Sequence, residues 1–139
     1  MTDLYTVQEI YKRNYGSQIF YKRDYYDKLI YTEGIMDFQK TLNAFWLVDL
    51  VIQHLPTVIK TTEAVDDGFF VAKILVKENS SGYFEIYREG YVGNEYNEHI
   101  TVIKQDIPFI DLPKYDYKFF LIVSNWEPIT YTLLLTSEY

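Results

Sequence analysis

Residues 69–88, FFVAKILVKENSSGYFEIYR, indicate the fold class more clearly than any other segment of the chain. Residues 69–77 are rich in the β-branched and aromatic side chains that favour strands. Asn79-Ser80-Ser81-Gly82 is composed of turn-forming residues, and residues 83–88 alternate polar with apolar side chains. This segment is therefore predicted to form an antiparallel β-hairpin.

Strand patterns continue on the C-terminal side of this hairpin. A loop is predicted over Glu89–Glu98, because it contains two glycines, and a strand over His99–Asp106. Two last strands, residues 118–124 and 130–135, are predicted to be joined by a turn around residues 125–128. Together with the hairpin, these segments predict a five-stranded antiparallel sheet.

Helical patterns dominate the N-terminal side. Four helices are predicted. The first begins at Thr6, the second covers residues 20–31, the third begins at Thr32, and the fourth covers residues 44–55. Asn43 is expected to end the helix that Thr32 begins, since Asn tolerates positive φ, and Pro56 is expected to end the last helix. We therefore predict a single α+β domain, residues 1–139, with N-terminal helices packed on one face of a C-terminal five-stranded antiparallel sheet.

Composition restricts the class of protein. A chain of 139 residues can bury about two-thirds of its unfolded surface in one core. The absence of Cys excludes disulfides, thiolate nucleophiles and Cys-based metal sites. The apolar runs are too short for a membrane span, and the N-terminal MTDLYTVQEI has no signal-peptide pattern, so a cytoplasmic protein is expected.

The charge is unevenly distributed. Residues 1–60 contain seven Lys/Arg and seven Asp/Glu, whereas residues 61–139 contain six and thirteen, so the second half carries the whole net charge of −7. Phosphate backbones are repelled by such a surface, which makes nucleic-acid binding an unlikely function. A basic protein partner is favoured instead, and a homo-oligomer is a further alternative.

Carboxylates near apolar helices are the first candidate binding residues. Asp49 follows Trp46 in the most apolar predicted helix, where a carboxylate must be paired or reach solvent. Glu33 lies at a predicted helix start beside Thr32 and Tyr31. With Asp37, four residues on, it is interpreted either as a carboxylate pair for acid–base chemistry or a divalent ion or, in the favoured alternative, as solvated helix charge. Asp49 is predicted either to make a structural hydrogen bond, with Tyr31, Thr32 or Trp46 as candidate partners, or to bind a ligand. In the second case Tyr31, Glu33, Trp46 and Asp49 would line the mouth of a pocket between helices and sheet, and Thr32 would lie beside it.

The segment Ile107–Pro113 contains the sixth candidate, Asp111, in a mostly apolar and proline-flanked connection. Its apolar side chains are expected either to cover the end of the core or to dock a partner or a second copy. His54 and His99 have no partner at metal-ligand spacing, so neither a metal nor a cofactor is predicted. Two Tyr-Lys-Arg triplets, at residues 11–13 and 21–23, could stack bases and contact phosphates, and the favoured alternative is a solvated helix surface.

Five ordered motifs resemble an uncharacterised domain family of small bacterial, phage and plasmid proteins. They are FYKR (20–23), LIYTEG (29–34), AFWLVD (44–49), QDIPFIDLP (105–113) and TSEY (136–139). The resemblance spans residues 20–139 and departs from the family at the long segment 89–98 and at Phe109-Ile110-Asp111. It implies an α+β fold and a mobile-element setting, and it implies no activity.

The leading hypothesis is a small acidic interaction protein of a phage or other mobile element, with a regulatory or inhibitory role. Its acidic sheet half would complement a basic surface. The alternative is a small-ligand-binding protein or an enzyme that uses the pocket between helices and sheet. No motif of a hydrolase or of a nucleotide-binding enzyme is present, so the enzyme hypothesis is not favoured.

Overall fold

A computed structural model describes residues 3–65, 68–124 and 127–139. In these ranges the chain forms three α-helices, seven strands and a final 3-10 turn. The helices are α1 (Leu4–Arg13), α2 (Glu33–Leu42) and α3 (Trp46–Val65). The strands are β1 (Phe20–Arg23), β2 (Tyr26–Thr32), β3 (Phe69–Val76), β4 (Gly82–Val92), β5 (Glu95–Ile107), β6 (Tyr115–Val123) and β7 (Tyr131–Leu135), and the 3-10 turn is Thr136–Glu138.

The sheet has seven strands in the order β1-β2-β7-β6-β3-β4-β5, and it is mixed rather than antiparallel. β2 runs parallel to β7, with Leu29 opposite Tyr131 and Tyr31 opposite Leu133, while the other neighbouring strands are antiparallel. The prediction of a five-stranded antiparallel sheet is therefore wrong. The two additional strands come from the N-terminal half, so that half is not purely helical.

The predicted helix over residues 20–31 is the β1–β2 hairpin. Tyr21, Tyr25 and Leu29 are spaced as on a helix, but burial in β2 follows a strand period, with Leu29 and Tyr31 buried and Ile30 only partly so. Packing of alternate residues against the helices overrides the helical spacing of the tyrosines. The predicted loop over 89–98 is likewise wrong, because β4 and β5 continue through it to a two-residue turn at Gly93-Asn94.

Both predicted ends of α2 are confirmed. The Thr32 hydroxyl accepts a hydrogen bond from the Ile35 backbone N–H, and Asn43 ends the helix in the left-handed conformation with φ 54°. α3, in contrast, runs through Pro56 to Val65, so the predicted end at Leu55 is wrong. Leu55 and Val58 are both buried, and their packing holds the helix together across the proline.

The core lies between the helices and one face of the sheet. Along β3, Phe70, Ala72, Ile74 and Val76 are buried on this face and alternate with partly exposed residues on the other. Phe38 of α2 packs edge-on against Phe119 of β6. We call the second face, away from the described helices, the open face of the sheet.

No helix in the described ranges is both long enough and apolar enough to cross a membrane. The predicted turn around residues 125–128 includes residues 125 and 126, which lie outside the described ranges.

Candidate functional site

Arg23 joins two of the predicted site residues, Tyr31 and Asp49. Its Nη1 donates a hydrogen bond to the Tyr31 hydroxyl at 2.8 Å, and its Nε donates to Asp49 Oδ1 at 3.2 Å. Its Nη2 donates to Gln39 Oε1 and to the Phe45 carbonyl, at 2.9 and 2.8 Å. The guanidinium thus fastens the β1–β2 hairpin to α2 and to the start of α3.

This cluster uses its charged groups internally. The Arg23 side chain is only 18% exposed, and Asp49 also accepts a hydrogen bond from the Tyr25 hydroxyl at 2.7 Å. That hydrogen bond and the charge of Asp49 raise the pKa of Tyr25. The guanidinium of Arg23 is thus fully engaged within the fold, whereas Gln39 Nε2 is buried and has no hydrogen-bond partner among the described residues.

Thr32 and Glu33 belong to a second group, at the N-terminus of α2. The Glu33 carboxylate accepts hydrogen bonds from the backbone N–H groups of Gln18 and Ile19, at 3.3 and 3.0 Å. Asp37, one helical turn on, instead binds the guanidinium of Arg13 through two hydrogen bonds of 2.6 and 2.7 Å. Glu33 and Asp37 therefore have different partners and do not form a carboxylate pair.

Glu138 completes the second group. Oε1 accepts from the Thr32 hydroxyl at 2.6 Å and from the Leu135 N–H at 3.0 Å. Oε2 accepts from the Ser17 hydroxyl at 2.6 Å and from the Gly34 N–H at 3.1 Å. A Cβ at residue 34 would overlap Glu138 Oε1, which explains the glycine at this position.

We call these contacts the Glu138 clamp, formed by Ser17, Thr32, Gly34, Leu135 and Glu138. The clamp brings together the LIYTEG and TSEY motifs, which are about one hundred residues apart in the sequence. Sequence analysis found both motifs and did not foresee their contact, because no local pattern reports a hydrogen bond of such long sequence separation.

The remaining predicted residues lie apart from both groups. Trp46 is the first residue of α3 and is half-buried against the core. Asp111 is exposed and lines a separate cavity of about 370 Å³. In the same segment Ile110 and Leu112 are buried and cover the end of the core, whereas Phe109 is exposed. The six predicted residues are thus not assembled into one site.

The most exposed aromatic group of the sheet lies where a loop was predicted. β4 pairs with β3 only as far as Tyr87, whereas its pairing with β5 continues through Tyr91 opposite Tyr96 and Val92 opposite Glu95. Gly93, at the turn, has φ 65°, a conformation that glycine adopts without strain. Residues 89–98 therefore form a two-stranded projection, which we call the arm.

The arm exposes large apolar side chains at its tip. Tyr91, Val92 and Tyr96 are 70%, 59% and 51% exposed, and the two tyrosine rings contact each other edge-on at 5.3 Å. A hydrogen bond to the Glu89 carboxylate is the main cause that raises the pKa of Tyr96. The sequence signal that could have revealed the arm is the Gly93-Asn94 pair between residues of high strand propensity.

The arm is also acidic. Residues 89–98 contain Glu89, Glu95 and Glu98 and no Lys or Arg, which gives the arm a formal charge of −3. Rings and carboxylates are thus presented together on a narrow ribbon. Among the described strands, none flanks the arm, because the pairing of β4 with β3 ends at Tyr87 and β5 is the edge of the sheet.

Just below the arm, His99 has a partner that its sequence spacing did not predict. His99 Nε2 lies 2.8 Å from Glu85 Oε2, and the His99 ring stacks on Tyr87 with a centroid distance of 3.9 Å. The Thr101 hydroxyl donates to the same carboxylate oxygen at 2.5 Å. Burial of Glu85 opposes its ionisation, but these hydrogen bonds and the nearby charges of His99 and Lys73 hold the pKa of Glu85 below its usual value.

Comparison with known proteins finds a family and no characterised relative. No curated protein and no solved structure matches the chain. A family model, described as a family of unknown function (DUF6876), matches residues 6–139, which is nearly the whole chain. The chain therefore belongs to the DUF6876 family.

Proposed function

We propose that this chain is a small protein-binding protein whose contact element is the arm, residues 89–98. The observation that carries the proposal is the exposure of Tyr91, Val92 and Tyr96 on a ribbon that extends beyond β3. Exposed apolar side chains grouped at one place mark interaction sites more often than single exposed ones do. Tyrosine supplies a large contact area at a low cost in side-chain entropy.

The charge of the arm supports a basic partner. Three carboxylates surround the rings, and the residues 61–139 that contain the arm carry the net charge of −7. A cationic surface with an apolar cleft between its charged groups complements this arrangement. We infer that the rings enter the cleft while Glu89, Glu95 and Glu98 pair with cations at its rim.

The biological setting of this proposal is a mobile element. The five motifs that resemble small phage and plasmid proteins support it, and we infer a cytoplasmic protein that regulates or inhibits its partner by binding. The proposal includes no reaction. In the described residues, no group of three or more His, Cys, Asp or Glu is arranged to hold a metal ion.

The test is an affinity capture from host lysate with three forms of the full chain. They are the parent, the arm variant Tyr91→Ser/Tyr96→Ser, and the control Tyr5→Ser/Tyr15→Ser, which changes tyrosines that are also highly exposed but lie outside the arm. Proteins retained by each form are compared by quantitative mass spectrometry. A specific partner should be retained by the parent and the control and be depleted at least about tenfold by the arm variant.

The purified partner then allows the charge argument to be tested. Its dissociation constant for the parent should rise about tenfold or more between 50 and 500 mM salt, and Glu89→Gln/Glu95→Gln/Glu98→Gln should flatten this dependence. Equal retention by the parent and the arm variant would refute the arm as the contact element. An affinity that does not change with salt would refute the basic partner.

A further inference from the structure

We propose a second binding site, for a small organic cation with an apolar body, in a cavity on the open face of the sheet. The cavity has a volume of about 470 Å³, which is within the range of small-molecule sites in proteins. It lies beside the clamp and is not lined by the arm. The inference does not depend on the proposed function.

The apolar wall of the cavity is formed by side chains of four adjacent strands. Phe20 of β1, Ile30 of β2, Leu134 of β7 and Ile122 of β6 line it. Ile30 and Ile122 lie in one row across the sheet, because Ile30 is opposite Thr132 and Thr132 is opposite Ile122. Phe20 and Leu134 lie two residues along from this row, since Phe20 is opposite Thr32 and Leu134 is opposite Phe120. An extended strip of apolar surface results, on the side of the sheet away from α2 and α3.

Two of these side chains are not needed by the core. Ile30 and Ile122 are only partly buried and do not pack against the cluster of buried residues under the helices. Phe20 is 49% exposed, so its ring is available for stacking. An apolar body placed here would cover side chains that otherwise contact water, which is a favourable transfer.

The charge of the lining selects a cation. Asp27 and Glu138 both line the cavity, whereas Lys, Arg and His are absent among the described residues around it. The clamp already uses both oxygens of Glu138, with two donors on each, so Glu138 contributes charge and no open acceptor. An anionic ligand would be repelled by both carboxylates.

Asp27 is the group that would pair with the cation. Its side chain is exposed, and within the described ranges it makes no hydrogen bond or ion pair, in contrast to Asp37 and Asp49, which are paired. The Thr132 hydroxyl, which also lines the cavity, has no hydrogen-bond partner in these ranges. A protonated amine can pair with the Asp27 carboxylate while the apolar body lies on Ile30 and Ile122, and Thr132 Oγ1 offers a further acceptor in the same cavity.

Three matched probes test the charge. They are 3-phenylpropan-1-amine, 3-phenylpropan-1-ol and 3-phenylpropanoate, each titrated into the full chain at pH 7 and followed by amide chemical shifts. The amine should bind at least about fivefold more tightly than the alcohol, the carboxylate should bind most weakly, and the amides of Ile30 and Thr132 should shift. Equal binding of amine and alcohol, or no binding by the amine at millimolar concentration, would overturn the proposal.

Variants test the location. Asp27→Asn should abolish the preference for the amine over the alcohol, whereas Asp24→Asn, the same charge change at an exposed position of the same hairpin, should preserve it. Ile122→Ala should weaken binding of the amine and the alcohol alike. The arm variant Tyr91→Ser/Tyr96→Ser should bind the amine as the parent does. Loss of the preference in Asp24→Asn, no effect of Ile122→Ala, or loss of binding in the arm variant would each contradict the site.

Discussion

Glu138 contacts three separate parts of the chain through one carboxylate. It holds the Ser17 segment before β1, the first turn of α2 and the end of β7. This partly buried carboxylate accepts four hydrogen bonds, two on each oxygen, so a single side chain satisfies donors from three places in the chain. The contacts among these three parts of the chain therefore all depend on the side chain of Glu138.

Replacing Glu138 with Gln should lower the free energy of unfolding by about 1–3 kcal/mol. The amide keeps one acceptor oxygen, but its NH₂ faces donors that previously bound Oε1 or Oε2. Urea denaturation of Glu138→Gln measures the loss, and Glu95→Gln, at an exposed position on the arm, is the matched control. Equal stability of the two variants would show that the clamp contributes little.

Glu85 makes the stability of the fold depend on pH in the acidic range. Its pKa in the folded chain lies below the usual 4.5, so its ionised form stabilises the fold above that value, and the contribution is lost as the pH falls through the lowered pKa. The melting temperature of the parent should therefore fall below about pH 4.5, and Glu85→Gln should show a shallower fall. Glu98→Gln, exposed on the arm, should follow the parent. An identical slope for Glu85→Gln and the parent would argue against this linkage.

At the scale of single elements, α3 contains a defect that its packing tolerates. Pro56 lacks a backbone N–H and stands inside the helix, with its side chain exposed. Pro56→Ala would restore a helical hydrogen bond without removing buried contacts. We expect it to stabilise the chain by about 1–2 kcal/mol. Pro in a helix interior costs about 3 kcal/mol, but part of this cost is offset because Pro also lowers the conformational entropy of the unfolded chain.

Thermal unfolding followed by circular dichroism measures this change. Thr57→Ala, at the neighbouring exposed position, controls for the higher helix propensity of alanine. A Pro56→Ala variant less stable than the parent would mean that the proline shapes α3 for its contacts with the sheet.

The contrast between α2 and α3 shows why some elements could be predicted from the sequence and others could not. The ends of α2 and the turn at Asn79–Gly82 depend on side chains within a few residues, namely the Thr32 cap and the left-handed Asn43, so local rules suffice. The extension of α3 past Pro56 places Val58 in the core, where it is fully buried. No local rule contains that contact.

The β1–β2 hairpin was missed for a related reason. Its identity as sheet depends on β7, which pairs with β2 from about one hundred residues away in the sequence. Of the predicted site residues, Asp49 was expected to need a partner, and in the structure it accepts hydrogen bonds from Arg23 and Tyr25. Arg23, which binds Tyr31 and Asp49, and Glu138, which binds Thr32, were not identified as partners, because these contacts cross between elements.

At the scale of the whole molecule, protection should be greatest at the centre of the sheet and least in the arm. β3 is paired along its whole length with β6 and from Val71 to Val76 with β4, and β6 also pairs with β7. Amide hydrogen exchange should therefore be slowest in β3 and β6, with opening free energies close to that of global unfolding. Amides of residues 90–97 in the arm should exchange much faster, since their ribbon is flanked by no other described strand.

Exchange measured residue by residue by NMR, at low micromolar and at high protein concentration, checks this order. Protection of the arm that equals that of β3 at both concentrations would contradict an exposed arm. Protection that appears only at high concentration would reveal self-association through it.

The place of β7 in the sheet has a consequence for synthesis on the ribosome. The hairpin β1–β2 is translated early, yet its neighbour β7 is made after every other strand of the sheet, and Glu138 follows β7. We expect β2 of the N-terminal hairpin to lack its partner strand β7 in the nascent chain until residues 131–138 leave the exit tunnel. Chains stalled before residue 131 should then be cleaved rapidly by protease in residues 17–32. We expect the final step of folding to be the insertion of β7 between β2 and β6, which are synthesised earlier.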